Sequence, residues 1–384
     1  MDIGAALAAA VAEANVGGAV AMVGNRAGVR YAGTFGPRDA AGGAPMALDT
    51  VFQLASMTKA LTSVAAMQLV ERGALQLDAP VAALLPALGR VQVLDGFDAD
   101  GRPRLRAAKR PITLRHLLTH TAGFGYDFAS AVLAKSRGAA GPPPPFTMAS
   151  IGGPLLFDPG DAWEYGVATD WAGLVVEAAS EQRLDAYLTA EVTGPLGMID
   201  TVFHLDEARR ARLATLTARQ PDGSLTPFPI TIGGPPDAEF IGGGGALNGT
   251  AGDYLRFLRM LLNGGSLDGV RILQPATVAE MSRNQIGRLR AGAMASVMPA
   301  FSHPTDIFPG QATGWGLGFA INPEPGPSGR AGGSLAWAGI ANTYYWIDPV
   351  NDVAAVLMLQ LLPFADPAAL ALYDRFERLV YGRS

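Results

Sequence analysis

Val51-Phe52-Gln53-Leu54-Ala55-Ser56-Met57-Thr58-Lys59-Ala60-Leu61-Thr62-Ser63 places a serine three residues ahead of a lysine at the mouth of an apolar run. At i and i+3 on a helix the two side chains share one face, so an amine at 59 reaches a hydroxyl at 56 as its base. Ser56 is then a candidate nucleophile and Lys59 its activator. Downstream, Met57, Ala60, Leu61, Val64, Ala65, Ala66, Met67, Leu69 and Val70 leave almost no polar face before Glu71-Arg72. That is the pattern of a helix packed on all sides, and Gly73 supplies its C-terminal stop. Burial carries a chemical expectation: desolvation favours a neutral Lys59, a competent base near neutral pH. The competing reading has Ser56 capping the helix and Lys59 on its solvated first turn. The chain has only three lysines, Lys59, Lys109 and Lys135, against many arginines, which weighs against surface decoration.

Composition narrows the classes. With 384 residues the chain buries a large core and exceeds the usual single-domain size, so two lobes are expected. A net charge of -5 with 16% charged residues leaves no basic footprint for nucleic acid. The absence of cysteine excludes disulfides and thiolate metal or redox sites. Four histidines remain, His116, His120, His204 and His303; the first two stand four apart, but no Glu follows His116, so they read as structural helix residues rather than a metal pair. The first 25 residues lack a basic n-region, and no apolar run reaches the roughly 18 residues of a membrane span. A soluble cytoplasmic protein with no membrane partner is the expectation.

In chain order, residues 2–15 read as an amphipathic helix, and 18–24 with 29–35 as a hairpin about the turn Asn25-Arg26-Ala27-Gly28. A basic patch from Arg102 to Arg110 reads as a solvated loop. Residues 113–123 read as a helix capped by Thr113 and ended by Gly123. Residues 136–160, with four consecutive prolines at 142–145, read as an extended surface loop of the kind that rims sites or simply connects elements. A tight turn, Asp158-Pro159-Gly160-Asp161, then delivers Trp163 and Tyr165 to the start of an apolar helix at about 169–179. There a phenol projects into a cleft or packs as an ordinary buried aromatic.

Gly242-Gly243-Gly244-Gly245 has neither nucleotide-loop form and reads instead as backbone approaching closely beside a site. Thr250 with Asp253 reads as a capping box for a helix through Leu262. Strand-like runs follow at 315–320, 335–340, 343–347 and 353–359, and a helix from Pro367 to Tyr381 is capped by Asp366. The order of elements implies a sheet assembled from both termini.

With Ser56-x-x-Lys59, Tyr165 and Trp337-Ala338-Gly339 in ordered succession, the chain resembles the serine β-lactamase and penicillin-binding-protein superfamily. Within it the chain looks most like the class C-related family VIII carboxylesterases. Leu114 to Gly123, Gly194-Pro195-Leu196-Gly197-Met198 and Trp346-Ile347-Asp348-Pro349 share its style. The resemblance implies an α+β fold: an antiparallel sheet built from both termini, flanked by helices, with an inserted mainly helical lobe. The sheet lobe is expected at residues 1–72 and 161–384, the inserted lobe at 73–160.

It further implies Ser56 as nucleophile, Lys59 as its base and Tyr165 as the proton shuttle. Amine and phenol competing for one proton titrate as a coupled unit. The oxyanion hole falls on the backbone N–H groups of Ser56 and Ile340. Family members that open β-lactams place asparagine two residues after the tyrosine and Lys-Thr-Gly on the sheet edge. Here Val167 and Trp337-Ala338-Gly339 stand instead. Loss of an amide binder and of a carboxylate anchor points to neutral, apolar ester substrates contacted by Val167, Trp337 and Gly339. Met294, Met298, Phe301 and Phe308 are candidates for the acyl pocket, or an ordinary core patch.

The expected activity is serine carboxylesterase, with a small-molecule ester as partner and neither metal nor organic cofactor required. An acyltransferase would share every catalytic residue. Amidase or weak β-lactamase activity uses the same nucleophile, and a non-catalytic binding role stands against all of these. No G-x-S-x-G elbow is present.

Overall fold

The computed structural model describes residues 3–39, 43–138, 141–235 and 237–383; Asp2 of the first expected helix, and Ala139 and Ala140 of the Gly/Pro-rich stretch, lie outside them. The elements that position the site are α1 (Ile3–Ala14), β1 (Ala19–Gly24), β2 (Val29–Phe35), α2 (Thr58–Glu71), α3 (Leu114–Leu118), α4 (Ala168–Ser180) and α5 (Ala251–Leu262). After them come β3 (Gly314–Trp315), β4 (Ala320–Ile321), β5 (Leu335–Gly339), β6 (Thr343–Asp348), β7 (Val353–Met358) and α6 (Pro367–Val380).

Seven strands form one sheet in the order β3-β4-β5-β6-β7-β1-β2, every pairing antiparallel. The ends of the chain meet where β1 pairs with β7, Ala21 opposite Leu357. Both faces of the sheet are covered, and β7 shows how. Ala355 and Leu357 pack with Leu7, Val11, Leu372 and Phe376 of the terminal helices, while Val356 and Met358 join Leu61, Val64, Tyr254 and Leu258 on the other side. Alternate side chains of a strand point to opposite faces, so burial on both requires the uninterrupted apolar runs seen in the sequence.

α2 packs against α4, and its residues from Thr58 to Leu69 are all buried. Its helical run stops where expected, with Gly73 at φ +72°. Thr250 caps α5 by accepting from Asp253 N–H (3.2 Å), but the reciprocal half of the box is missing: the Asp253 carboxylate turns to Asp200 N–H and the Thr201 hydroxyl. Asp366 caps α6 with Pro367 at its first position.

Four local expectations change. The 136–160 stretch is not extended throughout, since Met148–Ile151 is a short helix with Ile151 buried. The helix from Thr113 ends at Leu118 rather than Gly123, because Thr119 turns its hydroxyl to Arg115 O and His120 adopts φ +57°. The 315–320 run is two short strands, β3 and β4, folded back on each other, with Gly318 at φ +101° between them. The basic patch is not a free loop. Pro103–Ala107 pairs with Gln92–Phe97, and Arg106 grips Asp158 through two bonds of 2.9 and 2.7 Å. The Asp158 carboxylate, 2% exposed, also accepts from Lys109 N–H, so the patch anchors the turn leading to Tyr165. Its carboxyl is held far below the usual range, by the Arg106 hydrogen bonds first. Among the described residues no helix is long and apolar enough to cross a membrane.

Candidate active site

Ser56 sits in the 3-10 turn Ala55–Met57 that opens α2, preceded by Ala55 at φ +48°. A non-glycine residue at positive φ is sterically costly and is held there by its surroundings. β5 supplies them. A Cβ on Gly339 would lie 2.5 Å from Leu54 O and 3.2 Å from the Ala55 Cβ, so only glycine lets the strand end close on the turn. Ile340, the next residue, faces the same cleft as Ser56.

Lys59 is 1% exposed, which excludes the solvated-turn reading. Its ammonium donates to Ser56 Oγ (3.2 Å), Tyr126 OH (3.0 Å) and Gly244 O (2.6 Å). It also lies over the ring of Tyr165, 4.7 Å from the centroid. Burial pushes the amine toward neutrality, but Tyr126, Tyr165 and Asp170 together outweigh it and hold its proton affinity above that of an ordinary lysine. The expectation of a neutral Lys59 is corrected in direction: desolvation alone predicts it, and the Tyr126 and Tyr165 phenols with the nearby Asp170 carboxylate reverse it.

Tyr126 is the residue the sequence reading missed. It follows Gly123-Phe124-Gly125, and Gly166 packs so tightly on that segment that a Cβ there would lie 2.5 Å from Gly125 Cα. This close passage brings the rings of Tyr126 and Tyr165 to 5.5 Å. Burial raises the Tyr126 phenol well above its ordinary value, against the pull of Lys59. A tyrosine beside paired glycines was the available signal. Tyr165 lines the cleft as expected, but its hydroxyl accepts from Trp337 Nε1 (2.9 Å). Trp337 therefore orients Tyr165 as well as lining the cleft.

Behind Lys59, Asp170 on the first turn of α4 is 8% exposed and accepts from Gly244 N–H at 2.8 Å. Gly244 thus binds a carboxylate through its N–H and the Lys59 ammonium through its carbonyl. A Cβ at Gly244 would lie 2.4 Å from Asp170 Oδ2, so this glycine brings backbone close to the site as anticipated. His120 packs on the Tyr165 ring at 4.8 Å, and burial and then the Lys59 charge hold it well below its ordinary value, hence neutral. His116 closes the capping box at Thr113. Among the described residues no three His, Asp or Glu side chains converge as a metal site would require.

The cleft over Ser56 measures about 1210 Å³. Val167, Trp337, Gly339 and Ile340 line it, as do Met294, Met298 and Phe301, while Pro142, Pro143, Pro145 and Phe146 wall it from the Gly/Pro-rich segment. Phe308 does not line the cleft; its ring lies 5.5 Å from the Arg330 guanidinium, in a cluster with Trp346 and Tyr373.

The chain is similar to monacolin J acid methylbutanoyltransferase of Aspergillus terreus, with 35% identity over 350 residues covering 88% of this chain and 84% of that protein. It is equally similar to a lovastatin esterase of Penicillium rubens, at 35% over 353 residues, 88% and 87% of the two chains. The structure superposes on unliganded simvastatin synthase LovD of Aspergillus terreus with TM-score 0.84, 32% identity and coverage of 98% and 96%. The family described as Beta-lactamase matches residues 3–379, and the chain belongs to it.

Proposed function

We propose that the chain is a serine enzyme that cleaves carboxylic esters of largely apolar character through an acyl-enzyme on Ser56. The observation that carries this reading is the contact of 3.2 Å between Ser56 Oγ and Lys59 Nζ beside a large, mostly apolar cleft. Ser56 Oγ attacks the ester carbonyl while its proton passes to the coupled Lys59–Tyr126 pair, in the form of that pair that has already lost one proton. The tetrahedral oxyanion is received by the N–H groups of Ser56 and Ile340, donors each worth about 2.7 to 4 kcal/mol in comparable sites. The bond to the alcohol breaks, the alcohol oxygen takes the proton, and Tyr165, oriented by Trp337, assists that transfer. Water then repeats the sequence in reverse and releases the acid.

A second reading has an alcohol in place of water, giving acyl transfer. The cleft, about 1210 Å³, exceeds the roughly 300 to 1,000 Å³ of an ordinary ligand pocket and has room for acyl donor and acceptor together. One relative carries a methylbutanoyltransferase name and another an esterase name at the same identity. β-lactam opening is the weakest reading, since Val167 and Trp337 replace the amide binder and the carboxylate anchor.

The test is turnover of a p-nitrophenyl ester and of a chromogenic cephalosporin by wild type and Ser56→Ala, with and without a primary alcohol. The ester is expected to be cleaved and the activity lost in the variant, with partition to a new ester when alcohol is present. Turnover that survives Ser56→Ala overturns the mechanism, and preferred lactam opening overturns the substrate class.

A further inference from the structure

Glu164, one residue before Tyr165, stands in the cleft wall half-buried. Its Cγ lies beside Gly125, 3.4 Å from where a Cβ would be, and Leu133 and Leu156 border the same spot. Among the described residues its carboxylate has neither a hydrogen-bond donor nor a cation. The other charges around the cleft are matched. Arg137 bonds Asp127 (3.3 Å) and Gly152 O (2.9 Å), Asp170 takes Gly244 N–H, and Lys59 is held by three acceptors. Glu164 is thus, among the described residues, the one charge of the cleft wall left without a counterpart, and the apolar surroundings raise its carboxyl.

A ligand that fills this cleft strips water from Glu164, which is costly unless the ligand brings a donor. A hydroxyl or ammonium group restores the lost hydrogen bond in charge-assisted form, whereas a carboxylate adds repulsion. We infer that Glu164 is the polar anchor of substrate recognition, accepting a hydrogen bond from a hydroxyl or ammonium group on an otherwise apolar ester and rejecting anionic ones. This rests on the ester chemistry assigned to Ser56. It refines the apolar substrate class, because a purely hydrocarbon ligand leaves Glu164 dehydrated and unpaired.

The experiment uses linear p-nitrophenyl esters whose acyl chains end in methyl, hydroxyl, ammonium or carboxylate, over a ladder of chain lengths. Wild type, Glu164→Gln and Glu164→Leu are compared through kcat/KM ratios within each enzyme. Alkanols, alkyldiols, alkylamines and alkanoates are also titrated as ligands by quenching of tryptophan fluorescence, which needs no turnover and is indifferent to whether the donor belongs to the acyl or the alcohol part. In wild type the ammonium and hydroxyl chains are expected to exceed the carboxylate chains by about tenfold or more, the size of one charge-assisted bond. In Glu164→Gln the ammonium-to-methyl ratio is expected to fall about tenfold, and Glu164→Leu to favour methyl-ended chains.

Ratios unchanged in both variants, or a wild-type preference for carboxylate ends, overturn the assignment. The ratios in wild type alone decide the matter if a variant fails to fold. Failure of the serine chemistry shows separately, as turnover that survives Ser56→Ala, while the binding series still reports on Glu164.

Discussion

Replacing Asp170 by asparagine removes a negative charge from behind Lys59 while keeping an oxygen to accept Gly244 N–H. The path from carboxylate to ammonium runs through one peptide residue: 2.8 Å from Asp170 Oδ1 to Gly244 N, and 2.6 Å from Gly244 O to Lys59 Nζ. Allowing for the span of a single residue, the two charges are at most about 9 Å apart. At an effective dielectric constant of about 20, that separation is worth about 2 kcal/mol, a little more than one pH unit. The titratable groups facing Lys59 are Tyr126, Tyr165 and Asp170, with His120 neutral nearby.

Because these groups raise the proton affinity of Lys59, the limb on which kcat/KM rises with pH is expected on the alkaline side in wild type. Activity requires the Lys59–Tyr126 pair to have lost a proton, so Asp170→Asn, which loosens that proton, moves the limb to lower pH by about one unit. The assay is kcat/KM for a neutral ester from mildly acid to strongly alkaline pH, with Asp170→Ala as the variant that loses both charge and hydrogen bond. A limb that stays in place or moves upward in Asp170→Asn, with folding intact, refutes the electrostatic role assigned to Asp170. A wild-type limb near neutrality refutes the raised Lys59 and restores the simpler desolvation argument.

Tyr126→Phe keeps the ring stacked on Phe128 and deletes the hydroxyl 3.0 Å from Lys59; kcat/KM is expected to fall by about 10² to 10⁴ with an unchanged melting temperature. Retained activity would remove Tyr126 from the proton path. Trp337→Phe deletes the donor to Tyr165, a bond worth about 0.5 to 1.5 kcal/mol, so kcat should drop roughly two- to tenfold; a change confined to KM would return Trp337 to simple substrate contact. Gly244→Ala forces a Cβ to 2.4 Å from the buried Asp170 carboxylate and should cost about 1 to 3 kcal/mol in thermal unfolding, together with most of the activity. Gly252→Ala, whose Cβ would meet only Thr250 Oγ1 at 3.9 Å within α5, is the control and should stabilise by up to about 1 kcal/mol. Equal melting temperatures for these two variants would contradict the close-approach reading of the glycine run.

What could be read from the sequence was whatever depends on neighbours along the chain. The i, i+3 spacing of Ser56 and Lys59 suffices to put hydroxyl and amine together, because a helix fixes that geometry locally. The all-apolar face of α2, the Asp366-Pro367 start of α6 and the uninterrupted strands β6 and β7 followed from pattern and capping. The early end of α3 was not legible, since His120 takes its left-handed conformation among Trp163, Tyr165 and Trp315, rings supplied by distant segments. The Arg106–Asp158 clamp was equally hidden: its partners are 52 positions apart, and each alone looks like a solvated charge.

The sequence alone supplied the serine–lysine pair and most helices and strands through local periodicity and spacing, and its resemblance to a known superfamily supplied the fold class. Only the tertiary structure decided the electrostatics of the site. Lys59 is set by Tyr126, Gly244 and Asp170, which lie 67, 185 and 111 positions away in sequence, and a proton affinity depends on every charge and dipole within a few ångströms, whatever its place in the chain.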